Sequence, residues 1–203
     1  MESGSGMIAK SEMTALILAG GKSRRMGGRD KGLLPFGDGL LVQHVLHAIS
    51  PQVGRTMISA NRNRVEYERF GVPVLSDPLA DFQGPLAGFL AGLQAMDTTY
   101  LLTLPCDGPI VLPDLAQRLA AGMAAEDADI AVAHDGRRLQ PVYTLLHRRV
   151  LSGLQGALDE GERKIDRWFP HNRWVRVDFS DAPQQFDNIN TPEDYSRVEG
   201  DER

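Results

Sequence analysis

Residues 14–36 read TALILAGGKSRRMGGRDKGLLPF, and this stretch decides the fold. Thr14 to Leu18 is a short apolar run without charge, closed by Gly20 and Gly21. Such a run predicts the buried first strand of a parallel sheet. Four glycines (Gly20, Gly21, Gly27, Gly28) then alternate with Lys22, Arg24, Arg25, Arg29 and Lys31. Glycine lets backbone approach a ligand, free N–H groups in a turn form a concavity for anions, and the cations suit phosphate oxygens. A phosphate-gripping loop after strand one is therefore predicted. The bland alternative is a basic surface turn that binds nothing, and it leaves the glycines unexplained.

Two familiar phosphate loops fail here. A Walker A loop needs a glycine five residues before Gly21, where Leu16 stands inside the strand. A dinucleotide fingerprint needs G-x-G-x-x-G, which Gly20-Gly21-Lys22 does not supply.

Working outward, apolar residues at helical spacing predict helices over Leu40–Val53, Leu86–Leu93, Leu112–Met123 and Val150–Leu158. A polar crossover helix is expected over 62–70 and a short amphipathic piece at Ile165–Phe169. Strands are expected at 56–60, 72–75, 100–104, 129–134, 139–145 and 174–177, with Pro141 marking an edge or an entry. Thr191 and Pro192 are placed as cap and first residue of a last helix. This alternation predicts an α/β fold, a three-layer Rossmann-like arrangement with a mostly parallel central sheet and helices on both faces.

In such sheets ligands lie beyond the carboxyl ends of the strands. The candidates are then Gly20 and Gly21 after strand one, Asn61 after strand two, Asp77 after strand three and Asp107 after strand four. Asp107 follows the most apolar strand, hence the one nearest the sheet centre. A lone carboxylate beside a cationic phosphate loop suggests Mg²⁺ held jointly by protein and substrate phosphates. Lys22, Arg25 and Lys31 could neutralise charge on a leaving pyrophosphate. One such cation is worth about 2–4 kcal/mol, roughly 10²- to 10³-fold in rate. Cys106 has no activating histidine at a neighbouring strand end and reads as a small buried residue. His44 and His47 share a helix side without a third ligand and read as surface or half-buried.

Composition sets the outer bounds. With 22 basic and 27 acidic residues the net charge is −5, so the basic cluster is local and suits a small anion rather than a nucleic acid. A single cysteine excludes an internal disulfide and a cysteine zinc site. No apolar stretch is long enough for a membrane span and no signal core is present, so the cytoplasm is expected. Residues 1–12 are small and polar and are expected to be a disordered leader, native or added in cloning. Residues 13–200 are expected to form one domain.

LAGG-x-x-x-RMG followed by Asp30-Lys31 resembles the signature loop of small nucleotidyltransferases. The fuller set resembles the molybdenum cofactor guanylyltransferase family, the MobA type: LAGGKSRRMGGRDKGLL (18–34), SANR (59–62), LADFQGPLAG (79–88), PCD (105–107), QPVY (140–143) and NINTPED (188–194). Residues 54–64 and the C-terminal third match only in scattered positions. The resemblance implies transfer of GMP from Mg·GTP, with Mn²⁺ as the alternative ion, to the phosphate of molybdopterin or molybdenum-molybdopterin. It places Leu18, Ala19, Gly20 and Gly21 at the guanine and phosphates, Lys31 at the phosphates, Asn61 and Asp77 at the nucleoside, and Asp107 at metal and GTP. Arg25 sits at the family's loop arginine. Gln140, Pro141, Asn188 and Asn190 fall where the family receives the pterin. Transient contact with cofactor synthesis and insertion proteins is a family expectation, and no nucleic-acid or membrane partner is expected. Three rivals stay open on sequence: a cytidylyl relative, a nucleotidyltransferase for a sugar or alcohol phosphate, and an idle nucleotide or cofactor carrier.

Overall fold

The apolar run forms β1 (Met13–Leu18), and its side chains divide between two cores. A computed structural model of the chain describes residues 7–19, 30–77 and 84–189. Met13, Ala15 and Ile17 enter one apolar cluster while Leu16 enters the other, as the two-residue period of a strand requires. Both faces of β1 are covered, which is why the run carries no polar alternation.

A hairpin of β2 (Pro35–Phe36) and β3 (Gly39–Leu40) leads into α1 (Leu41–Ile49). With strands of two residues, this hairpin leaves no periodic signal in the sequence. Gly37 takes φ +52° as the first residue of its two-residue turn. β4 (Arg55–Ser59), α2 (Arg64–Glu68) and β5 (Val74–Leu75) follow, then α3 (Pro85–Ala95) and β6 (Tyr100–Pro105). Beyond them come α4 (Leu115–Ala125), β7 (Ile130–His134), β8 (Leu139–His147), α5 (Leu151–Asp159), α6 (Ile165–Trp168) and β9 (Trp174–Asp178).

Among the described residues the main sheet has seven strands in the order β5-β4-β1-β6-β8-β7-β9. The pairs β5–β4, β4–β1, β1–β6 and β7–β9 are parallel, and β8 runs antiparallel to both neighbours. β6 is the central strand, and the α/β class with a mostly parallel sheet holds. The α1 and α4 side carries Val42, Val45, Ile49, Leu115, Leu119 and Met123. The α3, α5 and α6 side carries Phe89, Leu90, Leu93, Leu154, Leu158 and Trp168. Among the described residues no helix is long and apolar enough to cross a membrane.

Two expectations are corrected here. Pro141 does not mark an edge strand, because β8 lies between β6 and β7, although it precedes the β6 ladder, which starts at Thr144. The β7–β8 register jumps from Val132↔Thr144 to Ala133↔Gln140, so the proline lies in a bulge where no ladder donor is needed. Residues 7–12, set aside on sequence as leader, belong to the fold. Ile8 packs on the α1-side core, Lys10 Nζ donates to the Pro51 carbonyl at 2.8 Å, and Thr99 N–H donates to the Glu12 carbonyl. The expected cap at Thr191 and Pro192 lies outside the described residues.

α3 approaches the sheet closely along a glycine edge. A Cβ at residue 92 would come within 2.7 Å of Leu16 Cδ2 and 2.8 Å of Leu101 Cδ2. Gly92→Ala is therefore expected to overpack this face and cost about 1–3 kcal/mol. A thermal melt checks it, at about 2–4 °C of Tm for each kcal/mol lost.

Candidate active site

Four parallel strands end together on one rim. Register places Leu18 beside Pro105 on one flank and beside Ser59 on the other, with Leu75 next to Ser59. The ladder runs one residue further through Ala19 N–H to Ser59 O, Cys106 N–H to Leu18 O and Ala60 N–H to Leu75 O. Strand order also reverses here: the chain runs from β1 outward to β4 and β5, then returns to β6 on the opposite flank of β1. A crevice at the carboxyl ends of β1 and β6 is where open α/β sheets bind ligands.

Lys31 reaches this crevice from a 3-10 turn, Lys31–Leu33, that Asp30 opens. Its Nζ donates to Asp107 Oδ2 at 2.9 Å, and the two side chains are 20% and 13% exposed. An ammonium and a carboxylate 76 residues apart in sequence thus meet at the reversal point. On the β4–β5 flank, Asn61 and Asp77 bond reciprocally. Asn61 Nδ2 donates to Asp77 Oδ2 at 2.6 Å, and Asp77 N–H donates to Asn61 Oδ1 at 2.8 Å. Ser59 Oγ adds a bond to Asp77 Oδ1 at 3.3 Å. Two strand ends are thereby locked to each other, with polar groups already oriented before any ligand arrives.

The opposite flank is built by β8 and the chain after β9. Thr103 Oγ1 on β6 donates to the Val142 carbonyl, which brings the 140–143 segment alongside the end of β6. Gln140 Nε2 donates to Asp135 Oδ2 at 2.7 Å. Burial would raise the Asp135 carboxyl, but the N–H groups of Arg138 and Arg137, Gln140 and the Arg138 charge hold it below its ordinary range. Ile189 N–H donates to the Asp107 carbonyl at 2.8 Å, so Asn188 stands beside Asp107. A side chain at residue 108 would collide with the Tyr143 hydroxyl and come within 3.3 Å of Asn188 Oδ1.

Leu18, Ala19, Lys31, Asn61, Asp77 and Asp107 are thus gathered on one rim, with Gln140, Pro141 and Asn188 on the far side of Asp107. Gly20, Gly21, Arg25 and Asn190 lie outside the described residues. Cys106 is buried, and burial together with the charges of Asp107 and Asp30 pushes its thiol well up, so it stays a neutral packing group. His44 caps the hairpin through the Phe36 carbonyl at 2.9 Å, and His47 is exposed. Ser59, whose hydroxyl joins the Asn61–Asp77 pair, had no role assigned from sequence. Tyr67, in a crossover that also carries Val65 and Phe70, is fully buried.

Among the described residues no group of three or more His, Cys, Asp or Glu side chains is arranged to hold a metal. The donor offered is instead a hard carboxylate, Asp107, already facing a cation. That fits an oxygen-seeking divalent ion which takes most of its ligands from water and phosphate.

Residues 15–175 match the family model of the MobA-like NTP transferase domain. The molybdenum cofactor guanylyltransferase of Shewanella loihica is 47% identical over 92% of this chain and 95% of its own. That of Cupriavidus metallidurans is 45% identical over 97% of this chain and 99% of its own. Among solved structures, molybdopterin-guanine dinucleotide biosynthesis protein A of Archaeoglobus fulgidus superposes with a TM-score of 0.76. It covers 93% of this chain and 97% of its own at 24% identity, a likeness of fold.

Proposed function

The chain belongs to the family of MobA-like NTP transferase domains, and we propose that its reaction is guanylyl transfer in molybdenum cofactor synthesis. GMP passes from GTP to the terminal phosphate of molybdopterin or its molybdenum-bound form, giving the guanine dinucleotide cofactor and pyrophosphate. The observation that carries this reading is the Lys31–Asp107 ion pair at the point where strand order reverses.

A phosphate oxygen of the acceptor attacks the α-phosphorus of GTP, and the bond from that phosphorus to the bridging oxygen of the β-phosphate breaks. A phosphate monoester is already ionised near pH 7, so no general base is needed. Leu18 and Ala19 offer backbone groups to the nucleotide, and the locked Asn61–Asp77 pair receives its nucleoside. Lys31 stabilises the negative charge that accumulates on the departing pyrophosphate, and Arg25 is assigned to the same phosphates. Asp107 would hold the divalent metal, Mg²⁺ by its hardness, and when bound this ion neutralises phosphate charge. Gln140, Pro141, Asn188 and Asn190 are assigned to the pterin side of Asp107.

Pyrophosphate release tests the reading, with molybdopterin as acceptor and Mg·GTP, Mg·CTP or Mg·ATP as donor. Release with GTP at least tenfold faster than with either rival is expected. Preference for CTP would overturn the guanylyl assignment, and no release with any donor would overturn transfer itself.

A further inference from the structure

The Lys31 turn is supported from beneath by the crossover that follows β4. Tyr67 is fully buried on α2, and its hydroxyl donates to Asp30 Oδ1 at 2.6 Å. Asn63, held at φ +51° just before α2, donates from Nδ2 to Asp30 Oδ2 at 3.0 Å. Both carboxylate oxygens of Asp30 are thus engaged by the crossover that follows β4. Asp30 in turn opens the tight turn carrying Lys31, its carbonyl accepting from Leu33 N–H at 3.2 Å. The turn is pressed from below as well. A Cβ at residue 32 would come within 2.5 Å of the Tyr67 hydroxyl and 3.3 Å of Cys106, the neighbour of Asp107.

We infer that Tyr67 and Asp30, with Asn63, are positioning residues for the transfer reaction: a latch that sets the Lys31 turn against the end of β6. This rests on the guanylyl-transfer reading for its kinetic consequence, while the latch itself is a matter of geometry. A lysine has four rotatable bonds, so its ammonium is only as well placed as the backbone carrying it. Three anchors fix that backbone: a buried phenol hydroxyl, a carboxamide and a seat on Cys106. Burial, with Asp30 accepting its hydroxyl and standing beside it as a negative charge, drives the Tyr67 phenol upward, so it stays a donor throughout the working pH range. A catalytic cation displaced by about an ångström loses much of its transition-state contribution while substrate binding changes less.

The experiment has two arms. In the first, Tyr67→Phe, which keeps the ring, and Asp30→Ala are each expected to lower kcat about tenfold with KM for Mg·GTP moved less than threefold. Asp30→Asn keeps an oxygen facing the phenol and retains most of the turnover. Placed on a Lys31→Ala background, Tyr67→Phe adds no further loss, because it acts through the lysine already removed. Equal losses with and without Lys31 would overturn the latch as a positioning device.

The second arm does not depend on activity. The chain has four lysines (10, 22, 31 and 164), so reductive ¹³C-methylation yields an assignable spectrum, with Lys31→Arg identifying the Lys31 signal. That signal is expected apart from those of exposed Lys10 and Lys164, and to move toward them in Tyr67→Phe and Asp30→Ala. A Lys31 signal unmoved in both variants would overturn the proposal. If the wild type transfers no nucleotide, the guanylyl reading falls while this arm still decides the latch.

Discussion

Asp107→Ala is expected to keep its fold and lose at least a thousandfold in kcat, roughly 4 kcal/mol of transition-state stabilisation. The residue sits just past the end of the central strand, on the rim rather than in either apolar cluster, so the change removes chemistry and little packing. It takes away the donor proposed for the divalent ion and the partner of Lys31 Nζ. Asp107→Asn is the sharper control. The amide fills the same space but cannot hold a cation as a carboxylate does, so a loss above a hundredfold is still expected. Initial rates of pyrophosphate release, with calorimetric titration by Mg·GTP, measure both effects. Near wild-type turnover in either variant would take Asp107 out of the reaction.

The second large effect is expected at Lys31. Lys31→Ala should lower kcat about 10²- to 10³-fold, or about 3–4 kcal/mol, with a smaller rise in KM for GTP. The asymmetry follows from when charge appears. GTP arrives carrying its phosphate charge, but the charge on the leaving pyrophosphate grows as the bond breaks, and an ammonium aimed there stabilises the later state more. Lys31→Arg is expected to recover only part of the loss. The guanidinium is wider and planar, while the turn is pressed against Tyr67 and Cys106 with no room for a Cβ at residue 32. A KM increase with unchanged kcat would show Lys31 to be a binding group only.

Much of this architecture is legible in the sequence. A run such as Thr14–Leu18 carries no charge because both faces of β1 are covered, and the same holds for Leu101–Leu104. With β-α alternation established, the rule on carboxyl ends led from strand ends directly to Asn61, Asp77 and Asp107. What stayed hidden depended on distant partners. The place of β8 between β6 and β7 cannot be read from LQPVYTL, because Pro141 signals an edge until a bulge is known to spare its missing donor. The β2–β3 hairpin has strands of two residues, below any periodic signal, and only Gly37-Asp38 hinted at it. Asp30 was legible as part of the signature loop, but what holds it was not. Its proposed role comes from Tyr67, 37 residues away in sequence, whose hydroxyl donates to it at 2.6 Å.

The reversal of strand order has a further consequence, in time rather than in space. β1 and β4 can pair, and β5 can join them, before β6 takes part. Leu18 meets Pro105 only after the chain has returned past everything between them, and contacts of that span form late because the closing loop is long. Lys31 therefore emerges from the ribosome and enters folding long before its carboxylate partner exists beside it. A refolding chain is expected to regain helical signal before it can engage a nucleotide, because both apolar clusters around β1 also need Leu101, Leu102 and Leu104 of β6. Recovery of GTP binding would then mark the docking of the central strand, which makes the substrate itself a clock for the last step of assembly.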